Sequence, residues 1–345
     1  KKIIKSKIKT RGSSKYNEIK IIASLIGFNL NSIENVEFTS DLETSLKLSL
    51  DNRYKILDKE FKIEGKINNL NLKHKAIKSF EKILPSYRSK IILKDTKISF
   101  NQTKNLKLSG LIKFDQQFKD FILRYSGLTD KNFNIGGKIN LYDLTLKIPN
   151  LNYYKKKNIE ADIDFNINSG KSSYDIDRLL YSSNKSKIEL DKVSLNKKFE
   201  IKDIRNIKVT TFTNNIKNND FHIGKHETLQ NTVFVMGKLL DAEPLLKSLY
   251  KTGDKKILSK DFNSEIKVNL DKTITGTNDD VLNVSMIASI KKGSYKKLSL
   301  KGNFVEKNEI IEMSMYQVDE NKRTLQVISD RARPFIKNFD FIKGF

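Results

Sequence analysis

The stretch Asn231–Tyr250, NTVFVMGKLLDAEPLLKSLY, changes from the pattern of a strand to that of a helix. Residues 233–236 are apolar on both faces of the predicted strand, and Gly237 interrupts the run. Asp241 follows with a side-chain oxygen that can cap a helix, and Pro244 suits a first turn, where proline loses no hydrogen bond. Because almost everything on either side reads as strand, we expect this short amphipathic helix to lie against a sheet or to cover its end.

Alternation of apolar and polar residues at period two dominates the rest of the chain. In residues 159–167, for example, Ile163 and Phe165 share an apolar face, while Asp162 and Asp164 lie on the opposite one. Short polar segments rich in turn-forming residues separate the runs. The sequence therefore predicts a mainly β fold, a meander of antiparallel strands with one wet face and one apolar face.

An apolar face of this length has to meet something other than water. With roughly twenty strands at ~4.8 Å each, a continuous sheet would be on the order of 100 Å long. We therefore expect an elongated antiparallel sheet that curls into an apolar-lined groove, with a few short amphipathic helices. The residues predicted to line this groove are Leu46, Leu48, Leu108, Ile112, Ile139, Leu146, Ile163, Phe165, Ile266, Val268, Val284, Met286, Leu300, Met313 and Met315.

Position 161 lies on the same apolar face as Ile163 and Phe165. It holds an alanine, Ala161, and not an isoleucine, so it does not count among the predicted groove residues.

Three further segments have a helical pattern. They are Lys75–Leu84, Asp115–Tyr125, and a last helix from Arg331 to about Phe341 that Asp330 can cap. We expect helices of this kind to cover parts of the sheet. The apolar residues predicted to do so are Leu245, Leu246 and Leu249 in the central helix and Phe335, Ile336 and Phe339 in the last one.

The chain shows one break in phase and no strong linker. In residues 138–148 the alternation slips, which predicts a β-bulge near Tyr142 and Asp143. The most polar seam is Thr213–Asp220. If the chain is divided there, residues 1–220 form the N-terminal part of the β groove and residues 221–345 a C-terminal part continuous with it.

Composition excludes several classes of protein. The 345 residues contain no cysteine, so disulfides, thiolate metal sites and a cysteine nucleophile are absent. The longest apolar run, Ile21–Phe28, is too short to span a bilayer. Because the chain opens on Lys1 rather than Met, we expect a fragment whose membrane anchor or signal peptide lies upstream.

The formal net charge of +24 has two interpretations. One is a phosphate-bearing partner, either nucleic acid or anionic lipid. The other is a lysine-rich composition with no specific partner, which the even spread of lysines along the strands favours. We therefore expect no nucleic-acid function, and at most a weak attraction to anionic headgroups.

No constellation of residues indicates catalysis. His222 and His226 have the spacing of zinc ligands on a helix, but Gly224 lies between them and a strand follows. On a strand their side chains would lie more than ~12 Å apart, too far for one metal. The acidic pair Asp162 and Asp164 fits a solvated strand face better than a hydrolase site. We predict a protein that is not an enzyme and has no cofactor or metal.

Two segments resemble the AsmA-like family. Gly237–Tyr250, GKLLDAEPLLKSLY, is similar to the family's G-x-x-L-D-x-x-P-L-L segment. Leu325–Phe345 resembles its closing pattern, a strand followed by S-D-x-A, an apolar pair, an aromatic residue and glycine. Arg333 stands where the family usually has glycine. The resemblance is most specific over residues 221–345.

The resemblance implies an envelope protein of a Gram-negative bacterium. Members of the family have an N-terminal anchor in the inner membrane and a long β trough in the periplasm that carries phospholipid acyl chains between the membranes. No catalytic residues come with the family. Phospholipid is then the expected ligand, and the membrane is reached through the missing anchor.

Two alternatives stay open from the sequence. In the first, the apolar faces close against each other and the chain is a structural or tethering protein of the envelope. In the second, suggested by charge alone, the protein binds nucleic acid or another polyanion with steep salt dependence.

Overall fold

The structure is a computed structural model that describes residues 2–25, 30–129, 132–225, 229, 231–249, 257–305, 309–319 and 322–336. It is mainly β, with 69% of residues in strands and 7% in helices. The chain forms two compact units. The first contains residues 1–146 and 156–171, and the second contains residues 147–155 and 172–345.

The first unit contains an antiparallel meander of eight long strands. The order along the sheet follows the chain, and every neighbouring pair is antiparallel. The strands are β1 (Lys2–Lys15), β2 (Ile33–Leu50), β3 (Ile56–His74), β4 (Lys90–Asn101), β5 (Asn105–Lys113), β6 (Lys119–Thr129), β7 (Asn132–Asn140) and, after an excursion, β10 (Asp162–Ser169). Helix α1 (Tyr16–Leu25) joins β1 to β2, and α2 (Lys78–Ile83) joins β3 to β4.

The excursion after β7 is a small hairpin. Strands β8 (Leu146–Ile148) and β9 (Tyr153–Lys155) form a separate two-stranded sheet around a 3-10 turn at Pro149–Leu151. Residues 147–155 of this hairpin belong to the second unit. The predicted bulge near Tyr142 is therefore wrong: the chain leaves the sheet after Asn140 instead of continuing along it.

The second unit contains ten ladder strands in chain order, in an open sheet. They are β11 (Ser173–Ser183), β12 (Ser186–Asn196), β13 (Ile201–Thr213), β14 (Ile216–Lys225), β15 (Thr232–Asp241), β16 (Ser264–Ile274), β17 (Val281–Lys291), β18 (Ser294–Phe304), β19 (Ile310–Gln317) and β20 (Arg323–Ser329). Helix α3 (Glu243–Leu249) follows β15, and α4 (Arg333–Ile336) follows β20.

The pairing of β15 with β16 departs from the predicted antiparallel meander. These strands are parallel, from Thr232 opposite Glu265 to Asp241 opposite Ile274. Parallel neighbours need a crossover connection, because the chain has to return to the end where it started. The segment after β15 that contains α3 makes this return. The helix pattern in Asn231–Tyr250 thus marks the point where successive strands stop alternating in direction.

The predicted helix at Asp115–Tyr125 is wrong. Residues from Lys119 onward form β6, with Phe121 and Leu123 paired to β7. The buried carboxylate of Asp143 accepts hydrogen bonds from the backbone N–H groups of residues 115–117, at 3.1, 2.8 and 2.9 Å. These three N–H groups are held in a loop, so the chain enters β6 extended.

The remaining helix predictions are confirmed; the first two helices are shorter than predicted, and the predicted part of the last helix beyond Ile336 lies outside the described residues. The segment predicted from Lys75 contains α2, and the central segment contains α3 with the N–H of Glu243 donating to Asp241 Oδ1 at 3.1 Å. The last helix begins at Arg333. Asp330, predicted to cap this helix, lies three residues before its start, and its carboxylate accepts the N–H of Ile310 at 2.6 Å.

The predicted boundary at residue 220 falls inside β14, within the second unit. Residues 214 and 215 form the turn between β13 and β14. Whether residues 1–220 and 221–345 act as separate parts stays a prediction.

Candidate functional site: the apolar face

Strand register places the apolar residues of the first unit on one face. A single row of paired residues crosses all eight strands, and seven of its eight members are apolar. The row consists of Ile8, Thr44, Ile63, Phe100, Leu106, Tyr125, Ile135 and Ile167. Because side chains on a strand alternate between faces, the rows two residues away lie on the same face.

The predicted groove residues of the first unit share this face, with one exception. Leu46, Leu48, Leu108, Ile112, Ile139, Ile163 and Phe165 are all on it. Most of these are partly buried, and Ile112 is fully buried in a cluster with Leu93 and Phe121. Leu146 is the exception and a wrong prediction. It begins the short strand β8 and is buried there, outside the long sheet.

Ala161, which is not among the predicted groove residues, directly precedes β10. Ala161 is only 2% exposed, and its carbonyl accepts the N–H of Leu141 at 2.7 Å. A small side chain that is buried in this way offers no surface to a ligand.

A longer apolar row crosses the second unit. It runs through all ten strands without a polar residue, from Leu179 in β11 to Val327 in β20. The row consists of Leu179, Leu190, Ile207, Ile223, Val235, Val268, Met286, Leu300, Met313 and Val327. All are partly buried except Val268, which is buried. The other predicted groove residues of this unit, Ile266, Val284 and Met315, lie on the same face.

None of the predicted groove residues lies in β11 to β15, the first five strands of this row. In β11 to β13 the alternation is not clean. Lys192 adopts φ +51°, and Ile204 and Ile207 pack in the same cluster although they are three residues apart. A period-two pattern assigns residues three apart to opposite faces. The sequence of β11 to β13 could have indicated this part of the row only through the presence of an apolar residue in each strand, because apolar and polar residues do not alternate regularly there.

One end of the second unit's face is closed by a segment of the chain. Ile204, Val233, Phe262 and Ile290 form a buried cluster, with exposed fractions of 1–5%. Phe262 lies in residues 257–263, which precede β16. The N–H of Ser259 donates to the carbonyl of Ile201 at 2.9 Å, and the N–H of Gly293 donates to that of Phe262 at 2.9 Å. Gly293 has φ +68°, and a side chain there would meet the Ser259 carbonyl. We call residues 257–263 the covering segment.

The opposite face of each sheet carries charge. In the first unit, Lys47 and Glu60 pair at 2.8 Å across β2 and β3, and Lys66 pairs with Asp95 at 2.6 Å. The second unit has a similar pair, Lys301 with Glu312 at 3.0 Å. Exposed pairs of this kind contribute little to stability. They do establish which face of each sheet is wet.

The residues predicted to cover the sheet have mixed outcomes. Leu245 is exposed and Leu246 is partly buried in α3. Leu249 belongs to α3, and Phe335 and Ile336 belong to α4. The structure does not describe how far their side chains are buried, and Phe339 lies outside the described residues.

Helix α3 begins at a buried polar cluster. Asp241 Oδ2 accepts a hydrogen bond from the Asn152 amide at 2.8 Å, and the Asp241 N–H donates to Asn219 Oδ1 at 3.0 Å. Asn219 also donates to the Leu151 carbonyl at 2.7 Å. Burial raises the pKa of Asp241, while Asn152 and the N–H of Glu243 oppose the shift. The cluster fixes the small hairpin and the start of α3, which is a structural role.

Two of the candidate titratable groups, His222 and Asp162, have hydrogen-bond partners in the structure. The imidazole of His222 hydrogen-bonds Asn206 at 2.8 Å, and burial, with Lys208, lowers its pKa. His226 lies outside the described residues. Asp162 accepts from the Asn140 amide at 3.0 Å, as expected for a sheet surface. The Tyr87 hydroxyl hydrogen-bonds the His74 imidazole at 2.5 Å, and burial raises the pKa of Tyr87 to about 12.

A cleft of about 420 Å³ lies at one end of the first unit's sheet. Its described lining residues carry no charge. They are Thr103, Asn105, Ser126, Gly127, Asn132, Phe133, Asn134, Asn168 and Ser169. Several of the amides already bond each other; the Asn134 amide, for instance, donates to Asn166 and Asn168 at 2.7 Å.

Within the described ranges, no three His, Cys, Asp or Glu side chains come together in a way that could hold a metal ion. No helix among the same residues is long and apolar enough to cross a membrane. Comparisons of the chain with protein-family models, with curated proteins and with solved structures found no match.

Proposed function

We propose that the chain is a lipid-handling protein of the cell envelope whose apolar sheet face shelters phospholipid acyl chains. The observation that carries the proposal is the unbroken, partly exposed apolar row across the ten strands of the second unit, with its counterpart in the first. Aliphatic and thioether side chains in such a row offer no hydrogen bonds, so they suit a ligand that needs none.

The proposed mechanism is passive. Each CH₂ group that leaves water for this face gains about 0.8 kcal/mol. Ten strands at ~4.8 Å give a row on the order of 40 Å, longer than one extended acyl chain. A chain could therefore slide from strand to strand without losing contact, while its headgroup stays in water near the lysines. Catalysis and a cofactor have no part in this mechanism.

The cellular setting is proposed on the resemblance to AsmA-like proteins at Gly237–Tyr250 and Leu325–Phe345. We propose on this basis that the protein lies on the periplasmic side of the inner membrane of a Gram-negative bacterium, anchored there as members of that family are. In that setting the lipid would move between the inner and outer membranes.

Native mass spectrometry of the purified chain, with lipid extraction, tests the proposal. We expect co-purifying phospholipid. Ile163→Asp and Met286→Glu place a charge on the apolar face and should abolish lipid binding while the far-UV circular dichroism is unchanged. Ile122→Asp and Ile287→Glu are matched controls, because these exposed isoleucines lie on the opposite face.

A closed structural protein is the second candidate, and the buried cluster around Phe262 favours it. If the whole apolar face were filled in this way, no acyl chain could enter. A protein mass free of lipid under gentle conditions, or unchanged lipid binding in Ile163→Asp and Met286→Glu, would contradict the lipid proposal and favour this one.

A further inference from the structure

The hairpin between β2 and β3 extends beyond β4 on one side, while β1 runs beside it as far as Leu50 on the other. Pairing of β3 with β4 begins at Lys62 opposite Asn101. Residues 56–60 therefore have no β4 residue opposite them, an extension of roughly 15 Å at ~3.3 Å per residue. We call Asp51–Leu57, the end of this hairpin, the β2–β3 tip.

Large apolar side chains are exposed at this tip. Tyr54, Ile56 and Leu57 are 67%, 56% and 58% exposed, and Ile3 on the adjoining end of β1 is 54% exposed. Lys2 pairs with Leu50 beside the tip, and its ammonium lies 3.8 Å from the centre of the Tyr54 ring. Scattered exposed apolar residues are ordinary, but Tyr54, Ile56 and Leu57 bring three large apolar side chains into four consecutive positions, so the tip itself is an apolar patch that reaches both faces of the hairpin.

The backbone holds Tyr54 outward in an unfavourable conformation. Its φ is +63°, a region that glycine or asparagine normally occupies. Two hydrogen bonds stabilise the turn, since Asp51 Oδ1 accepts the N–H groups of Arg53 and Lys55, both at 2.8 Å. The equivalent turn at Asn101–Asn105 places Lys104 in the same position, with φ +56°. The turn therefore accepts a residue other than an aromatic one.

The charges around the patch are mostly basic. Lys2, Arg53 and Lys55 carry positive charge there. Of the nearby acids, Asp51 is occupied by the backbone N–H groups of the turn, and Asp58 follows the tip. The net charge of the whole chain, these residues included, is +24. A tyrosine and two aliphatic side chains flanked by cations match the headgroup region of a membrane, where aromatic rings are enriched and cations meet anionic lipid.

We infer that the β2–β3 tip binds the surface of an anionic lipid bilayer, with Tyr54, Ile56 and Leu57 inserted at the headgroup level. The contact is distinct from the sheltering of acyl chains on the sheet face and does not depend on it. It would bring one end of the first unit to a membrane without any spanning helix.

Fluorescence tests the insertion directly, because the chain contains no tryptophan. Tyr54→Trp introduces a single reporter. With vesicles of 70% phosphatidylcholine and 30% phosphatidylglycerol, its emission should shift to the blue and be quenched by brominated acyl chains. Lys104→Trp places the reporter in the equivalent turn and should show neither effect. Equal behaviour of the two reporters would overturn the inference.

Affinity measured by vesicle flotation is the second test. Ile56→Ser with Leu57→Ser should weaken binding by roughly ten-fold or more, since each side chain loses the gain of leaving water. Tyr54→Gly distinguishes a loss of the membrane contact from a loss of folding stability. It relieves the backbone conformation, so its melting temperature should rise or stay unchanged while vesicle binding falls. Lys104→Gly relieves the same conformation and should leave vesicle binding unchanged.

Net charge alone could also attract the chain to anionic vesicles. In that case the tip variants would bind as tightly as the wild type and only salt would release them, which would overturn the inference. Lipid co-purification is a separate measurement. Tip variants that no longer bind vesicles but still carry phospholipid would support the inference and leave the acyl-chain proposal intact.

Discussion

The two units use the same alternating pattern on their apolar faces and reach different degrees of closure. In the second unit, the covering segment, residues 257–263, buries Phe262 against Val233 and Ile290, which are 1–3% exposed. The first unit has a smaller cluster around Leu93, Ile112 and Phe121, and most other residues of its face are only partly buried.

The difference follows from the connections between strands. Most antiparallel neighbours are joined by short turns, which cannot reach across the face. The longer connections of the first unit, which hold α1 and α2, leave Ile21, Phe80 and Ile83 exposed. The parallel pair, β15 with β16, requires a long return, and that return supplies the covering segment. Alternation thus creates an apolar face, and the face is covered only where a connection packs its own apolar residues on it. A face without cover is the one available to a ligand.

Truncation of one phenylalanine in each unit should show the largest contrast. Phe262→Ala removes a ring from a closed cluster and should cost about 3–5 kcal/mol of unfolding free energy. Phe165→Ala, on the partly exposed face of the first unit, should cost less than half of that, since its ring is only partly removed from water. Denaturant unfolding of both variants measures the costs. Equal costs would mean that the two faces are closed to the same extent.

The next largest effect on unfolding free energy is expected at two buried aspartates, one in each unit, that each hold a loop. Asp143→Ala leaves three backbone N–H groups without an acceptor in the first unit. Asp241→Ala leaves the Asn152 amide and the helix N-terminus without one in the second. Each unpaired buried donor costs about 1–3 kcal/mol, and we expect about 2–4 kcal/mol for either variant, since water can reach some of the freed donors.

Hydrogen exchange locates these losses. Protection should fall at residues 115–117 in Asp143→Ala and at the start of α3 in Asp241→Ala. Asp143→Asn and Asp241→Asn keep an acceptor oxygen and serve as controls with smaller losses. A uniform loss of protection across a unit would show that its anchor holds the whole sheet instead of one loop.

The smallest expected effect is the titration of His222. Burial lowers its pKa below 6.5 in the folded protein. The unfolded chain then binds the proton more tightly, so stability falls as the pH drops through 6.5 and levels off below the folded pKa. His222→Gln should remove this part of the acid dependence. NMR titration of the imidazole checks the pKa, and a value at or above that in urea would contradict the prediction.

The sequence predicted much of the sheet but less of the connections. Clean alternation placed fourteen of the fifteen predicted groove residues on the apolar faces, because a strand's side chains alternate whatever lies around it. Leu146 failed because the excursion after Asn140 takes it out of the long sheet. The start of the second unit's row was missed because the alternation loses its phase near Lys192.

By itself the sequence determined that the chain is mainly β, that one face is apolar and the other charged, and that Asp241 starts a helix. These features depend on neighbours a few residues apart. The tertiary structure decided the parallel pairing of β15 and β16, the extended entry to β6 that Asp143 holds, and the closure around Phe262. Each depends on groups distant in sequence: Asp143 binds residues 26–28 positions away, and Phe262 packs against Ile204. No local pattern encodes such contacts, because their free energy arises only when the folded chain brings the groups together.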